Sequence, residues 1–280
     1  MPGFDLADMA MRRGVRRKSV ELRDIAPPAM FASDLYRGCY LPVVSLWDGS
    51  LNRIVAEYES ALSGLMRDTA EDLRFAIDET ARGFDRLLLL LTPELRRWAL
   101  RVERWHRGKW RGAVLTATGV DLDTIIGPEG VRDTLDSVIA RNVALIRDVS
   151  AQAQARISDA VFRGLTERRP AREVARQLRE AVAMSRRRSI NIASDQLSKV
   201  TSALADERRR EAGIDVWKWR HSGKRHPRIE HLDRDGNLYG DTAATRTLEV
   251  DGKPVRKPPD DRPGQLPFCG CRAQGVVVFA

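Results

Sequence analysis

The chain has 280 residues, of which 42% are hydrophobic and 31% are charged, and its formal net charge is +9. This composition can bury a core and predicts about one or two folded domains, which excludes disorder throughout. The sequence has no run of roughly 18 to 20 apolar residues, as a membrane-spanning helix needs, and its N-terminus lacks the apolar stretch of a secretory signal. We therefore expect no membrane span and a protein that acts where it is synthesised.

The N-terminal region is basic, with RRGVRRK at residues 12–18, and we interpret residues 1–46 as a basic arm. We interpret residues 47–140 as a variable helical region, because apolar residues recur there at helical spacing. A first stripe comprises Leu51, Ile54, Val55, Tyr58, Ala61, Leu62 and Leu65, and a second comprises Leu73, Ile77, Ala81, Phe84, Leu88 and Leu91. Thr92 as an N-cap, followed by Pro93, predicts that another helix begins there.

That next helix carries a dense basic cluster, with seven basic residues and one acidic residue at positions 96–111. Guanidinium groups match phosphate geometry, and a basic surface attracts polyanions. The candidates for nonspecific contact with DNA are therefore Arg97, Arg101 and Arg104. The alternative is a solvated helix face, which also applies to the arginine triplets at 186–188 and 208–210. Trp98, Trp105 and Trp110 are interleaved with these arginines, which makes them candidates for contact with nucleic acid. The alternative, which we favour, is packing inside the protein, because Trp98 and Trp105 continue an apolar stripe.

The longest periodic pattern covers residues 131–165 and predicts one helix of roughly 35 residues, about 50 Å long. A loop rich in glycine, threonine and aspartate precedes it. Pro170 predicts the start of the next helix, and the sequence from Ser189 predicts a further one that Gly213 ends as a C-cap.

After Gly213 the pattern changes to strands and turns. Trp217, Trp219 and His221 alternate with more polar neighbours, which predicts a strand. Two Asp-Gly pairs indicate turns, residues 239–267 read as a long loop, and GVVVF at 275–279 predicts a terminal strand. The predicted fold class is α+β: a helical N-terminal body with a small C-terminal module, at 213–280, of short strands and long loops.

Four blocks of sequence, in this order, resemble the Mu F-like head morphogenesis family of tailed phages and prophages. They are RNVALIRDV, INIASDQLSKVTSAL, RRREAGIDVWKWRHSGKRHPRIEHLDRDGNLY and LPFCGCRA. The resemblance covers roughly residues 141–273, so we place this domain at 141–280. It implies a minor head protein of the virion, assembled in the bacterial cytoplasm, that associates with the portal and capsid and acts in head assembly or DNA delivery.

The resemblance also implies a set of structural motif residues. These are Arg228, His231, Gly236, Cys269, Cys271 and Arg272. Many family members have an acidic residue and an arginine before the Arg-x-x-His pattern, whereas this chain has Lys224 and His226 there. This chain therefore has no carboxylate between the predicted strand and Arg228.

The histidines and cysteines of the C-terminal module admit two interpretations. The number of cysteines is odd, and two of them are separated by a single residue. This pattern fits a reducing cytoplasm better than a disulfide framework. His231, Cys269 and Cys271, with His226 or His221 as a fourth ligand, are of the types that bind zinc, although Cys-x-Cys is not the common structural spacing. Alternatively, His231 is a core residue held by Arg228 or a backbone carbonyl. We expect a structural clasp and assign no cofactor.

Enzymatic functions are also conceivable for this region. The sequence EHLDRDGN, at 230–237, could imitate a metal-dependent nuclease, and a cysteine paired with His231 could act as a protease nucleophile. Single-sequence matches of this kind are weak, and neither cysteine has a nucleophile signature around it. We therefore expect no enzymatic activity, and keep a nuclease or other DNA-processing enzyme of phage origin, and a generic nucleic-acid binder, as alternatives.

Overall fold

A computed structural model describes residues 3–63, 68–225 and 227–279. The α-helices are α1 (Leu6–Arg12), α2 (Met30–Leu35), α3 (Leu41–Ser63), α4 (Asp68–Thr118), α5 (Arg132–Thr166), α6 (Ala171–Glu211) and α7 (Ile229–Asp233). The strands are β1 (Ser19–Glu21), β2 (Val216–Arg220), β3 (Leu238–Gly240), β4 (Glu249–Val250), β5 (Lys253–Arg256) and β6 (Arg272–Val278). The predicted α+β class, with a helical body and a small C-terminal sheet, is confirmed.

Helix α4 differs from its prediction, because it continues through Pro93 instead of restarting at Thr92. The buried stripe of Leu88, Leu91 and Leu95 runs across the proline without a change of spacing. Thr92 is not an N-cap, since its hydroxyl donates to the carbonyl of Leu88 one turn earlier. Continuous burial of this stripe therefore outweighs the local helix-start signal. Leu65 of the preceding stripe lies outside the described residues.

Helix α6 is also continuous, whereas the sequence predicts two helices in this region. The apolar pattern is interrupted by Ser185 and Ser189, but both serines are buried between Val182 and Ile192 on the same face. Each serine hydroxyl donates to the carbonyl four residues earlier, so burial leaves no unpaired hydroxyl. The predicted end at Gly213 is confirmed, with a φ of 66° that favours glycine after a helix.

The strands form one sheet in the order β1-β6-β2-β3-β5-β4. Neighbouring strands are antiparallel except for β3 and β5, which are parallel. Asp251 and Gly252, both with positive φ, form the two-residue turn of the β4–β5 hairpin, as the sequence predicts. Residues 239–267, predicted as a loop, contain this hairpin. The prediction was wrong there because strands of two to four residues give almost no periodic signal.

The chain divides into two compact units that do not follow linear domain boundaries. Unit 1 comprises Met1–Phe31, Ala99–Val138 and Ser194–Ala280, and unit 2 comprises Ala32–Trp98 and Ile139–Ala193. The sequence instead places boundaries after residues 46, 140 and 212. Much of the predicted N-terminal arm is part of unit 1, where Leu6 and Leu22 are buried and β1 pairs with β6. No helix in the described ranges has both the length and the apolarity to cross a membrane.

Candidate functional site

The candidate site lies on one face of the sheet in unit 1. Alternation along β2 places Trp217 and Trp219 on this face, and both are fully buried. Tyr239 of β3 stacks on Trp217, with ring centroids 4.9 Å apart. Cys269 and Cys271, just before β6, complete the same apolar cluster. The two tryptophans are therefore core residues of unit 1.

His231 projects from α7 into this cluster and is buried. Its Nδ1 lies 3.4 Å from the Sγ of Cys269 and 3.7 Å from the Sγ of Cys271. Its Nε2 lies 2.7 Å from the Oδ2 of Asp261, and its ring meets Trp219 edge-on at 5.1 Å. The structure thus brings together the histidine and both cysteines that the sequence singles out.

Asp261 orients the imidazole and is itself held by Arg234. The Nη1 of Arg234 donates to Oδ1 of Asp261 at 2.7 Å, and the same guanidinium lies over the ring of Trp219. Burial acts to raise the pKa of Asp261, but the hydrogen bonds from Arg234 and His231 outweigh it and lower the pKa. Asp261 is therefore a carboxylate at neutral pH and accepts the Nε2–H of His231.

The pKa values of the two thiols are shifted in opposite directions. A hydrogen bond from Cys271 lowers the pKa of Cys269 from 9.0 to about 5, with burial opposing the shift. The same hydrogen bond, together with burial, raises the pKa of Cys271. The pair therefore loses its first proton readily and its second with difficulty.

A network of polar contacts fixes the segment that presents these thiols. The backbone N–H of Phe268 donates to Asp195 at 2.6 Å, and its carbonyl accepts from Lys224 at 2.6 Å. Phe268 has a φ of 60°, which is strained for a bulky residue and persists because both of its backbone groups are held. Lys224, the departure from the family pattern, thus ties its loop to the cysteine segment.

Arg228 occupies a different place from the one the sequence suggests. It does not hold the ring of His231, because its Nη2 donates to the carbonyl of Pro267 at 3.1 Å. The partner of the ring is Asp261, so the prediction that Arg228 or a backbone carbonyl holds His231 was wrong. Both arginine and histidine nevertheless link α7 to the segment around the cysteines.

Two further motif residues support the sheet. Gly236 has a φ of 77° and donates its N–H to the carbonyl of Trp219, which closes the turn before β3. Arg272 forms a bidentate pair with Asp24, at 2.9 Å and 2.6 Å, which raises the pKa of Arg272. This pair attaches the N-terminal segment to the start of β6.

Other predicted candidates lie elsewhere. His226 is outside the described residues. Among the residues that are described, the one group of three or more potential metal ligands is His231 with the two cysteines, so His221 does not join it. Glu230 and Asp233 of the nuclease alternative are exposed and do not belong to this group either.

The three arginines proposed for DNA contact are exposed on α4. Arg97 belongs to unit 2 and pairs with Glu94, and Arg101 and Arg104 belong to unit 1. Trp98, nearby on the same helix, is buried, as its apolar spacing predicts.

Sequence reasoning missed Asp261, Arg234 and Asp24. Asp261 lies in a proline-rich stretch, PPDDRPG, that carries no periodic signal. Its pairing with His231 spans 30 positions, and the pairing of Asp24 with Arg272 spans 248. Nothing in the local sequence could have indicated contacts of that separation.

Comparison with known proteins gives one family match and one relative. Residues 154–274 match the model of the family described as Phage Mu protein F like protein. A protein of Haemophilus influenzae, described as an uncharacterized protein, is 26% identical over 123 residues. That alignment covers 44% of this chain and 28% of the relative, so the chain spans less than a third of the relative's length. No solved structure matches.

The matched range begins within α5 and ends within β6, and it contains all six motif residues. Arg228 and His231 connect α7 to the segment that carries the two cysteines. Gly236 closes the turn before β3, and Arg272 joins β6 to the N-terminal segment. The resemblance found in the sequence blocks is confirmed, because residues 154–274 of this chain are similar to the family described as Phage Mu protein F like protein.

Proposed function

We propose that the chain is a minor head protein of a tailed phage or prophage, acting in head morphogenesis through contacts with the portal and capsid rather than by catalysis. The match of residues 154–274 to the Mu F-like family carries this proposal. The protein would then be assembled in the bacterial cytoplasm and become part of the virion.

The placement of the motif residues supports a structural role. His231, Cys269 and Cys271 are buried, and Arg228 and Arg272 bond to other parts of unit 1. A set of residues that faces the interior stabilises the module and leaves recognition to the surface around it. Their common task is therefore to hold the strands and α7 in a fixed arrangement.

The exposed face of α7 offers an apolar surface for such recognition. Ile229 and Leu232 are 77% and 50% exposed, while His231 between them is buried. Subunit interfaces are centred on apolar side chains that are accessible before assembly. We propose that Ile229 and Leu232 lie in the contact with the portal.

Substitution of both residues by lysine should weaken association with the portal by about tenfold or more, as expected for the loss of interface anchors. The protein should fold normally, because exposed substitutions cost little stability. The measurement is co-purification with the portal protein of the same genome at moderate and high salt.

The matched control is the double change Leu89→Lys and Leu90→Lys on α4, where the side chains are 75% and 70% exposed and lie outside the family match. This variant should bind the portal as well as the unchanged protein. Equal loss in both variants would contradict the assignment to α7, and no binding by the unchanged protein to portal or capsid would contradict the proposed function.

A second proposed activity is nonspecific contact with DNA through the basic part of α4. Replacing Arg97, Arg101 and Arg104 by glutamine should reduce the slope of log affinity against log salt by about 3, since each phosphate contact contributes about 0.9. Portal association should not change. The measurement is a titration of duplex DNA at several salt concentrations.

An equal loss of charge elsewhere provides the control. Arg163, Arg176 and Arg210 are exposed arginines outside the cluster. Their replacement by glutamine should leave the salt slope close to its original value. Equal slopes for the two triple variants, or tight sequence-specific binding, would be inconsistent with phosphate contact through this cluster.

A further inference from the structure

Two sulfur atoms lie close to the same ring nitrogen of His231. With Nε2–H donated to Asp261, the ring has a single lone pair, at Nδ1. Two sulfur atoms lie around that lone pair, at 3.4 Å and 3.7 Å. The hydrogen bond between the two thiols keeps both sulfur atoms beside this nitrogen, so three atoms of metal-ligand type converge on one point.

The spacing fits a shared metal ion. In tetrahedral zinc sites the Zn–S distance is about 2.3 Å and the Zn–N distance about 2.0 to 2.1 Å, which places sulfur and nitrogen ligands about 3.5 Å apart. The two S···N distances, 3.4 Å and 3.7 Å, fall on either side of that value. All three ligand atoms lie within 4.8 Å of one another.

The surroundings are also those of a metal-binding histidine. A ligating imidazole commonly donates its other N–H to a carboxylate, which fixes the tautomer and the ring orientation. Asp261 accepts that N–H, and Arg234 holds Asp261 in place. The lone pair of Nδ1 is therefore aimed at the space between the two thiols.

We propose that the Sγ atoms of Cys269 and Cys271 and the Nδ1 of His231 bind one zinc ion. Both thiols release their protons to solvent when the ion binds. The ion joins α7 to the start of β6, across 38 to 40 positions of sequence. Its role is to stabilise the small sheet, and it does not depend on the proposed function in the head.

The full-length protein, purified with reduced thiols and without chelator, should contain about one equivalent of zinc per chain. Cobalt(II) added to the metal-free protein should give the intense near-ultraviolet absorption of thiolate ligation and the visible bands of tetrahedral cobalt. Removal of zinc should lower the melting temperature, and its return should restore it. Less than about a tenth of an equivalent of either metal, or a melting temperature indifferent to chelator, would overturn the proposal.

Variants assign the ligands. The double change Cys269→Ser and Cys271→Ser should abolish uptake of both metals, whereas Cys39→Ser, which alters the cysteine in unit 2, should retain one equivalent. If the double variant does not fold, the cobalt spectrum of the unchanged protein still decides whether thiolates bind. Full uptake by a folded double variant would refute the ligand assignment.

The positioning role of Asp261 has its own readout. Asp261→Asn should weaken zinc affinity by about 10 to 100-fold, the usual effect of losing a carboxylate behind a ligating histidine. The adjacent, exposed Asp260 gives the matched control, since Asp260→Asn makes the same change of charge one residue away. Equal affinities for the two variants would show that Asp261 does not orient a metal ligand.

Discussion

Replacement of Arg208 by methionine should lower the free energy of unfolding by about 2 to 3 kcal/mol, because it leaves the buried carboxylate of Glu103 with the longer 3.3 Å contact to the partly exposed Arg107 in place of two guanidinium partners. Arg208 is 1% exposed and donates to Glu103, which is 3% exposed, at 3.1 Å. It also bonds Glu211 at 2.6 Å and the carbonyl of Gly127 at 2.7 Å. The change therefore removes a charge that joins three segments of unit 1. Chemical unfolding followed by tryptophan fluorescence measures it.

The matched control is two residues away in the same helix. Arg210 is 68% exposed and pairs with Glu207 at the surface, so Arg210→Met should change stability by less than about 1 kcal/mol. Changing Arg208 and Glu103 together to apolar residues should cost less than the sum of the single changes, because no buried charge is then left unpaired. A loss below 1 kcal/mol for Arg208→Met would show that Arg107 or solvent compensates the charge of Glu103 without Arg208.

The arginine triplet at 208–210 shows that burial cannot be predicted from local composition alone. Residues 208–210 read as a solvated or DNA-facing basic surface, yet Arg208 and Arg209 are buried. Arg209 bonds Asp206 on its own helix and Asp241 in the following module. Local composition records the charge of a segment but not the distant carboxylates that neutralise it. Only the third arginine lies on the surface that the sequence predicts.

Periodicity predicted the helical body well where burial is continuous. Helix α5 covers 132–166, close to the predicted 131–165. A helix-start signal at Thr92 and Pro93 and an interruption of the apolar pattern near Ser189 led to two false helix boundaries. In both places the buried face of the helix continues across the interruption. Short strands such as β4 were not predicted, because two residues are too few to show an alternating pattern.

The sequence predicted the central residues of the candidate site but not the residues that hold them in position. His231, Cys269 and Cys271 could be grouped because their chemistry is distinctive and the family resemblance selects them. Asp261 and Arg234 could not, because a carboxylate or a guanidinium in a charged loop resembles many others until the fold brings it to a ring nitrogen. The supports decide how the ring is oriented, and hence what its free nitrogen can bind.

A pH-dependent loss of stability is expected from His106, which is buried in α4. Burial, and secondly the charge of Arg208, lower the pKa of His106 from 6.5 to about 4. Between these values the unfolded chain binds a proton that the folded chain does not, so stability falls as the pH falls through this window. From pH 7 to pH 5 the loss is about 2 kcal/mol, rising to about 3 kcal/mol below pH 4.

The change His106→Gln removes this titration while keeping a polar side chain of similar size. The variant should therefore lose about 2 kcal/mol less than the unchanged protein between pH 7 and pH 5, whatever its stability at pH 7. Carboxylates that titrate in both proteins cancel in the difference. The measurement is urea unfolding at both pH values with tryptophan fluorescence. The same loss in both proteins would mean that the folded protein protonates His106 as readily as the unfolded chain does, and that water reaches this ring.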